Sequence, residues 1–158
     1  TDQGWQLQGA LVTHSHEDRA GGLGYLNKHS VPTFASQHTN DLLKSAQKPQ
    51  ASQLLNTPLA DWNNLKVYFP GAGHSPDNLV VWSPEGKWLF AGCLVKSARA
   101  MGLGQYDKES VKHWFASLEA VIDRYPSAEM VIPGHGAVGG MPLVNHTLQL
   151  LKAKGFDS

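Results

Sequence analysis

Apolar residues follow two rhythms along this chain: short runs that read as strands, and longer stripes at helical spacing. Residues 7–13 (Leu-Gln-Gly-Ala-Leu-Val-Thr) predict a buried strand, and a Gly-rich helix is expected from Asp18 to Lys28. Val31-Pro32-Thr33-Phe34-Ala35 reads as a short strand with an edge proline, because proline has no N–H to give to a ladder. Thr39 is the expected N-cap of a helix running through Ala46. Leu65 to Phe69, Leu79 to Trp82 and Trp88 to Ala91 are strand candidates. The last two are joined by Ser83-Pro84-Glu85-Gly86-Lys87, with proline and glycine where a turn wants them. Ser110 to Arg124 is the clearest helix, since Val111, Trp114, Phe115, Leu118, Val121 and Ile122 keep the i, i+3, i+4, i+7 spacing of one stripe. Met130 to Ile132 is a strand, and Leu143 to Lys154 is an amphipathic helix entered through Pro142. Strands mixed with helices, without an internal repeat, predict a layered α/β domain over residues 1–158.

Composition narrows the classes. A chain of 158 residues buries one core. Thirteen Lys+Arg balance 13 Asp+Glu, which argues against a nucleic-acid binder working through a large basic field. No apolar run is long enough to span a bilayer. The start lacks a basic, then apolar, then small-residue leader, so a signal peptide is expected to be absent or removed. A single cysteine, Cys93, has no internal disulfide partner.

The candidate chemistry sits where apolar runs end. His14, His16 and Asp18 follow the first strand, and His74 follows Leu65 to Phe69. Cys93 follows Trp88 to Ala91, and His135 follows Met130 to Ile132. Ends of neighbouring strands are places where distant segments converge, as metal ligands must. Alternate residues of an extended segment point the same way at a rise of about 3.3 Å, so His14 and His16 can reach one ion. Asp18 could reach a second ion roughly 3.5–4 Å from the first. Gly71, Gly73, Gly92, Gly134 and Gly136 flank the other ligand candidates and permit tight backbone courses. Any one of these residues has an ordinary reading: a surface or satisfied histidine, or a small buried thiol. Together, the six suffice for two zinc ions and point to metal-assisted hydrolysis. Lys96 lies three residues beyond Cys93 and could project into the same cleft, although most lysines are solvated. Gln105, in Gly102-Leu103-Gly104-Gln105, reads as a polar loop residue. His29, His38, His113 and His146 have no such context, and the five tryptophans read as packing.

The segments His14-Ser15-His16-Glu17-Asp18-Arg19-Ala20-Gly21-Gly22, Gly73-His74-Ser75-Pro76-Asp77-Asn78, Phe90-Ala91-Gly92-Cys93-Leu94-Val95-Lys96 and Pro133-Gly134-His135-Gly136 resemble the class B, or metallo, beta-lactamases. The likeness is to the dizinc subclass, with a three-His site beside an Asp-Cys-His site. Cys93 and Arg19 set the chain apart from thioester hydrolases and nucleases of the wider superfamily, and His14 from the mononuclear subclass. The resemblance implies an αβ/βα sandwich whose N-terminal sheet is incomplete in this sequence. Either the chain is a fragment, or something such as a second copy covers the face that is left. It also implies two Zn2+ ions, with His14, His16 and His74 on the first, and Asp18, Cys93 and His135 on the second. The implied activity is hydrolysis of the beta-lactam amide of penicillins, cephalosporins or carbapenems by zinc-bound hydroxide, in the periplasm, as an antibiotic-resistance enzyme. In that reading Asp18 orients the water, Lys96 pairs with the substrate carboxylate, and the Gln105 amide grips the carbonyl or carboxylate where the family usually has asparagine. The competing expectations are a thioester or phosphodiester hydrolase, and a zinc-binding fragment without catalysis.

Overall fold

Val12, Ala20, Leu23, Ala35, Leu43 and Ala51 form one buried apolar cluster, and the first compact unit of the chain, Thr1–Thr57, is arranged around it. The computed structural model describes residues 2–157. Strand β1 (Ala10–Leu11), β2 (Thr33–Ser36) and β3 (Gln53–Leu55) make a parallel sheet in that order. Helices α1 (Glu17–Ala20) and α2 (Leu23–Lys28) lie between β1 and β2, and α3 (Gln37–Ser45) follows β2 directly. Burying Leu23 and Leu43, each 1% exposed, contributes about 1.5–3 kcal/mol apiece.

Three expectations for this unit need correction. The first strand shrinks from residues 7–13 to Ala10–Leu11. Among the described residues its ladder partner is the segment at Pro32 to Phe34, reached by Ala10 N–H to Pro32 O and Val12 N–H to Phe34 O. The single helix expected from Asp18 to Lys28 is two helices. They part at Gly21-Gly22, where two residues without side chains hold the helix weakly. The cap of α3 is Ser36 rather than Thr39: the Ser36 Oγ accepts the Thr39 N–H at 3.1 Å. Thr39 is instead buried in the first turn and bonded to the same hydroxyl.

The second unit, Pro58–Ser158, carries a five-stranded sheet in the order β4 (Leu59–Trp62), β5 (Leu65–Tyr68), β6 (Val80–Ser83), β7 (Trp88–Gly92), β8 (Met130–Pro133). The pairs β4–β5, β5–β6 and β6–β7 are antiparallel, and β8 is parallel to β7. The crossover between β7 and β8 is α4 (Val111–Arg124), and α5 (Pro142–Ala153) closes the chain. The expected stripe of α4 is the buried one: Val111, Trp114, Leu118 and Val121 are buried, with Phe115 and Ile122 half-buried beside them. On the sheet, Val80, Trp82, Leu89, Ala91 and Val131 join that core, and α5 adds Leu143, Val144 and Leu151. Pro142 stands in the first turn of α5, as proline without an N–H can.

The directions of the strands decide where the loops emerge. Two antiparallel steps separate β5 from β7, so these strands point the same way, and β8 is parallel to β7. The chain therefore leaves β5, β7 and β8 at one end of the sheet. His74, Cys93 and His135 lie on those three exits. The Ser83 to Lys87 turn lies at the opposite end, where Gly86 N–H donates to the Ser83 Oγ at 3.0 Å. Among the described residues, no helix is long and apolar enough to cross a membrane.

Candidate metal centre

The first ligand loop begins where β1 loses its partner. His14 is 1% exposed, and its Nδ1 lies 3.2 Å from the Thr13 Oγ. His16 keeps an extended backbone, φ −64° and ψ 151°, as the N-cap of α1. The alternation expected of an extended pair is present: the His14 and His16 rings meet edge-to-face, with centroids 4.8 Å apart. Asp18 follows in the first turn of α1, where a carboxylate faces the positive end of the helix. Arg19 Nε lies 3.5 Å from the Asp18 Oδ2.

The second loop, residues 70–78, is shaped by close approaches. A Cβ on Gly73 would sit 2.7 Å from Leu94 Cδ1 and 3.0 Å from the Trp114 ring, so any larger residue there would push on both. His74 is buried, 6% exposed, and its ring meets Trp114 edge-to-face at 5.8 Å. Its carbonyl accepts the Asp107 N–H at 3.0 Å.

Cys93 comes after Gly92, whose φ of 55° turns the chain at the end of β7. The thiol is 3% exposed and unbridged. Trp114 Nε1 donates to the Leu94 carbonyl at 2.8 Å, fixing the next residue. Beyond β8, a Cβ on Gly134 would meet Cys93 Sγ at 2.6 Å and its backbone N at 2.7 Å. This intimate packing brings His135 Nε2 to 3.7 Å from the Cys93 Sγ.

Two groups of ligand-type side chains result. His14, His16 and His74 form one and Asp18, Cys93 and His135 the other, each with its ligand atoms within 4.8 Å of one another. These are the six residues expected from the sequence, sorted as the resemblance implied. Lys96 and Gln105 belong to neither group. Lys96 is half-buried; its backbone N–H donates to the Thr147 Oγ at 2.8 Å, and its Nζ stands 5.5 Å from the Trp114 ring centre. Gln105 is exposed.

Trp114, Ser117 and Asn78 are parts of this site that sequence reading did not single out. The first two were indistinguishable from core positions on α4. Asn78 stood inside the His74 motif without a role. Ser117 Oγ donates to the Ala72 carbonyl at 2.6 Å, and Asn78 bonds both ends of its own loop.

No protein-family model matches the chain. Among curated proteins it is similar to the metallo-beta-lactamase type 2 of Pseudomonas aeruginosa, 37% identical over 149 residues, covering 92% of this chain and 59% of that protein. Among solved structures it is similar to the DIM-1 metallo-beta-lactamase, with 40% identity, a TM-score of 0.92, and coverage of 97% of this chain and 72% of that one. It is also similar to the metallo-beta-lactamase from Pontibacter korlensis, with 35% identity, a TM-score of 0.88, and coverage of 96% and 72%. The chain spans less than two thirds of the length of the curated relatives it matches. Its fold is the two-sheet αβ/βα arrangement of these structures, with three strands in the first sheet.

Proposed function

Because the chain belongs to the metallo-beta-lactamase family, we propose that it is a dizinc hydrolase that opens the ring amide of beta-lactam antibiotics. The observation that carries this reading is the pair of donor groups, three imidazoles in one and a carboxylate, a thiol and an imidazole in the other. Both sets suit zinc, a borderline-soft ion that takes nitrogen, sulfur and carboxylate oxygen. Magnesium and calcium, which want oxygen alone, suit them poorly. His14, His16 and His74 are assigned to the first ion, and Asp18, Cys93 and His135 to the second. Bound there, zinc would acidify water towards a pKa of about 7 and polarise the amide carbonyl.

The remaining work belongs to side chains. Asp18 accepts a hydrogen bond from the attacking water and orients it, with its own carboxylate steadied by Arg19. Lys96 pairs with the carboxylate of the antibiotic, a charge-assisted contact stronger than a neutral one. Gln105 donates its amide N–H to the substrate, with one more methylene of reach than the asparagine usual in the family. The periplasm is the proposed place of action.

A second reading is a zinc-binding chain without turnover, since the two donor groups would hold zinc whether or not a substrate is turned over. Carbapenem hydrolysis by the purified chain, with added zinc and then with a chelator, separates the two. Chelator-sensitive turnover is expected. Two bound zinc ions without turnover would leave the second reading standing. Turnover of a thioester or phosphodiester in place of a beta-lactam would move the chain to another branch of the superfamily.

A further inference from the structure

The loop that presents His74 is gripped at two successive carbonyls by buried side chains. Asn78, 1% exposed, donates from Nδ2 to the Gly71 carbonyl at 2.8 Å, while its Oδ1 accepts the Ser75 N–H at 3.1 Å. Ser117, 3% exposed on α4, donates from Oγ to the Ala72 carbonyl at 2.6 Å. Gly71 has φ 121°, and a Cβ there would meet the same Ser117 Oγ at 2.6 Å. The backbone on either side of His74 is thus tied both to itself and to the rigid helix α4.

Buried backbone groups need partners in any loop, but here the side chains that supply them grip the residues immediately around His74. Glycine-rich segments lose much conformational freedom on being fixed, and here the cost is met at the residues just before a ligand. A zinc–nitrogen bond is about 2 Å long, and ligand distances hold to roughly ±0.2 Å. Small drifts of the loop would therefore matter to an ion as well as to the packing of His74 on Trp114. We propose, resting on the reading of His74 as a zinc ligand, that Asn78 and Ser117 are positioning residues that hold the His74 imidazole in place for the first ion. The ion's affinity is then set partly by α4, a helix that supplies no ligand.

Cobalt(II) titration of the full chain tests this, with zinc affinity measured in competition with a chromophoric chelator. The ligand-field band reports the histidine site, and the thiolate-to-cobalt charge-transfer band reports Cys93. Asn78→Ala and Ser117→Ala should weaken the first ion about 10–100-fold, the loss typical when a group supporting a ligand is removed. They should shift the ligand-field band and leave the charge-transfer band in place. Ser117→Thr, which keeps the hydroxyl, should restore affinity. Val144→Ala, a core truncation on α5, serves as a control that destabilises without touching the loop. Wild-type affinity and spectra in both clamp variants would overturn the proposal, as would an equal loss of affinity in Val144→Ala. A wild-type chain that takes up no metal overturns the zinc reading itself, and the clamp with it.

Discussion

Replacing Trp114 with Phe removes one hydrogen-bond donor and part of the indole from the buried core of the second unit. Trp114 is fully buried, as is Leu94, whose carbonyl takes the Trp114 Nε1–H at 2.8 Å. Phenylalanine leaves that carbonyl in the core without this donor, at a cost of about 1–3 kcal/mol. The smaller ring leaves a void of roughly 40 Å³, and at ~24 cal/mol per Å³ this adds about 1 kcal/mol. A loss of about 2–4 kcal/mol is thus expected, large against a stability of about 5–15 kcal/mol. For a chain of 158 residues, each kcal/mol moves Tm by about 2–4 °C, so the melt should fall by roughly 4–16 °C. Differential scanning calorimetry reads this directly. A benzothienyl analogue of Trp114, with sulfur in place of N–H, keeps the shape and isolates the hydrogen bond at about 1–3 kcal/mol. A fall in Tm of less than about 2 °C for Trp114→Phe would refute the view that this indole pins the turn after Cys93.

Three other changes test separate parts of the structure. Cys93→Ala should keep the first zinc and lose the second together with most turnover; two ions per chain by metal analysis would show the thiol is no ligand. Ser36→Ala removes the cap of α3 and should cost about 0.5–2 kcal/mol in urea denaturation, whereas no change would mean that Thr39 can take over. Burial raises the pKa of the Tyr125 phenol above its ordinary 10.0, although Arg124 opposes the shift. The folded state then holds that proton more tightly than the unfolded chain does. Its stabilisation is complete below the unfolded pKa and is lost as pH rises through the folded one. Tyr125→Phe should flatten the loss of stability above about pH 10, and an unchanged slope would contradict the shift.

The parts of the fold that were legible in the sequence are those where periodicity and punctuation agree. Strands β5 to β8, the Pro-Gly turn between β6 and β7, and helices α4 and α5 all lie within a residue or two of expectation. Strands β3 and β4 were not foreseen. β3 is three residues long with two exposed, so it shows almost no apolar pattern. β4 alternates exposed and half-buried positions and turns into β5 through Asn63-Asn64, with Asn63 at φ 53°. That asparagine pair was the available hairpin signal. The six ligand candidates were readable because ligand-type residues followed apolar runs, with His74, Cys93 and His135 directly beside glycines. Ser117 was not, because a small polar residue inside an apolar stripe looks like a minor fault in the stripe. Its meaning depends on the Ala72 carbonyl, 45 residues away in sequence.

The one-way exits of β5, β7 and β8 leave the far end of that sheet available to the protein engineer. Residues 84–87 are exposed, and the turn there is held by Ser83 and by the Lys87–Glu129 ion pair at 2.8 Å. An affinity tag, a fluorophore-bearing peptide or a new chain terminus introduced between Glu85 and Gly86 would enter the molecule on the side from which no ligand departs. The same fold that gathers His74, Cys93 and His135 at one rim thus offers the other as a handle for immobilisation.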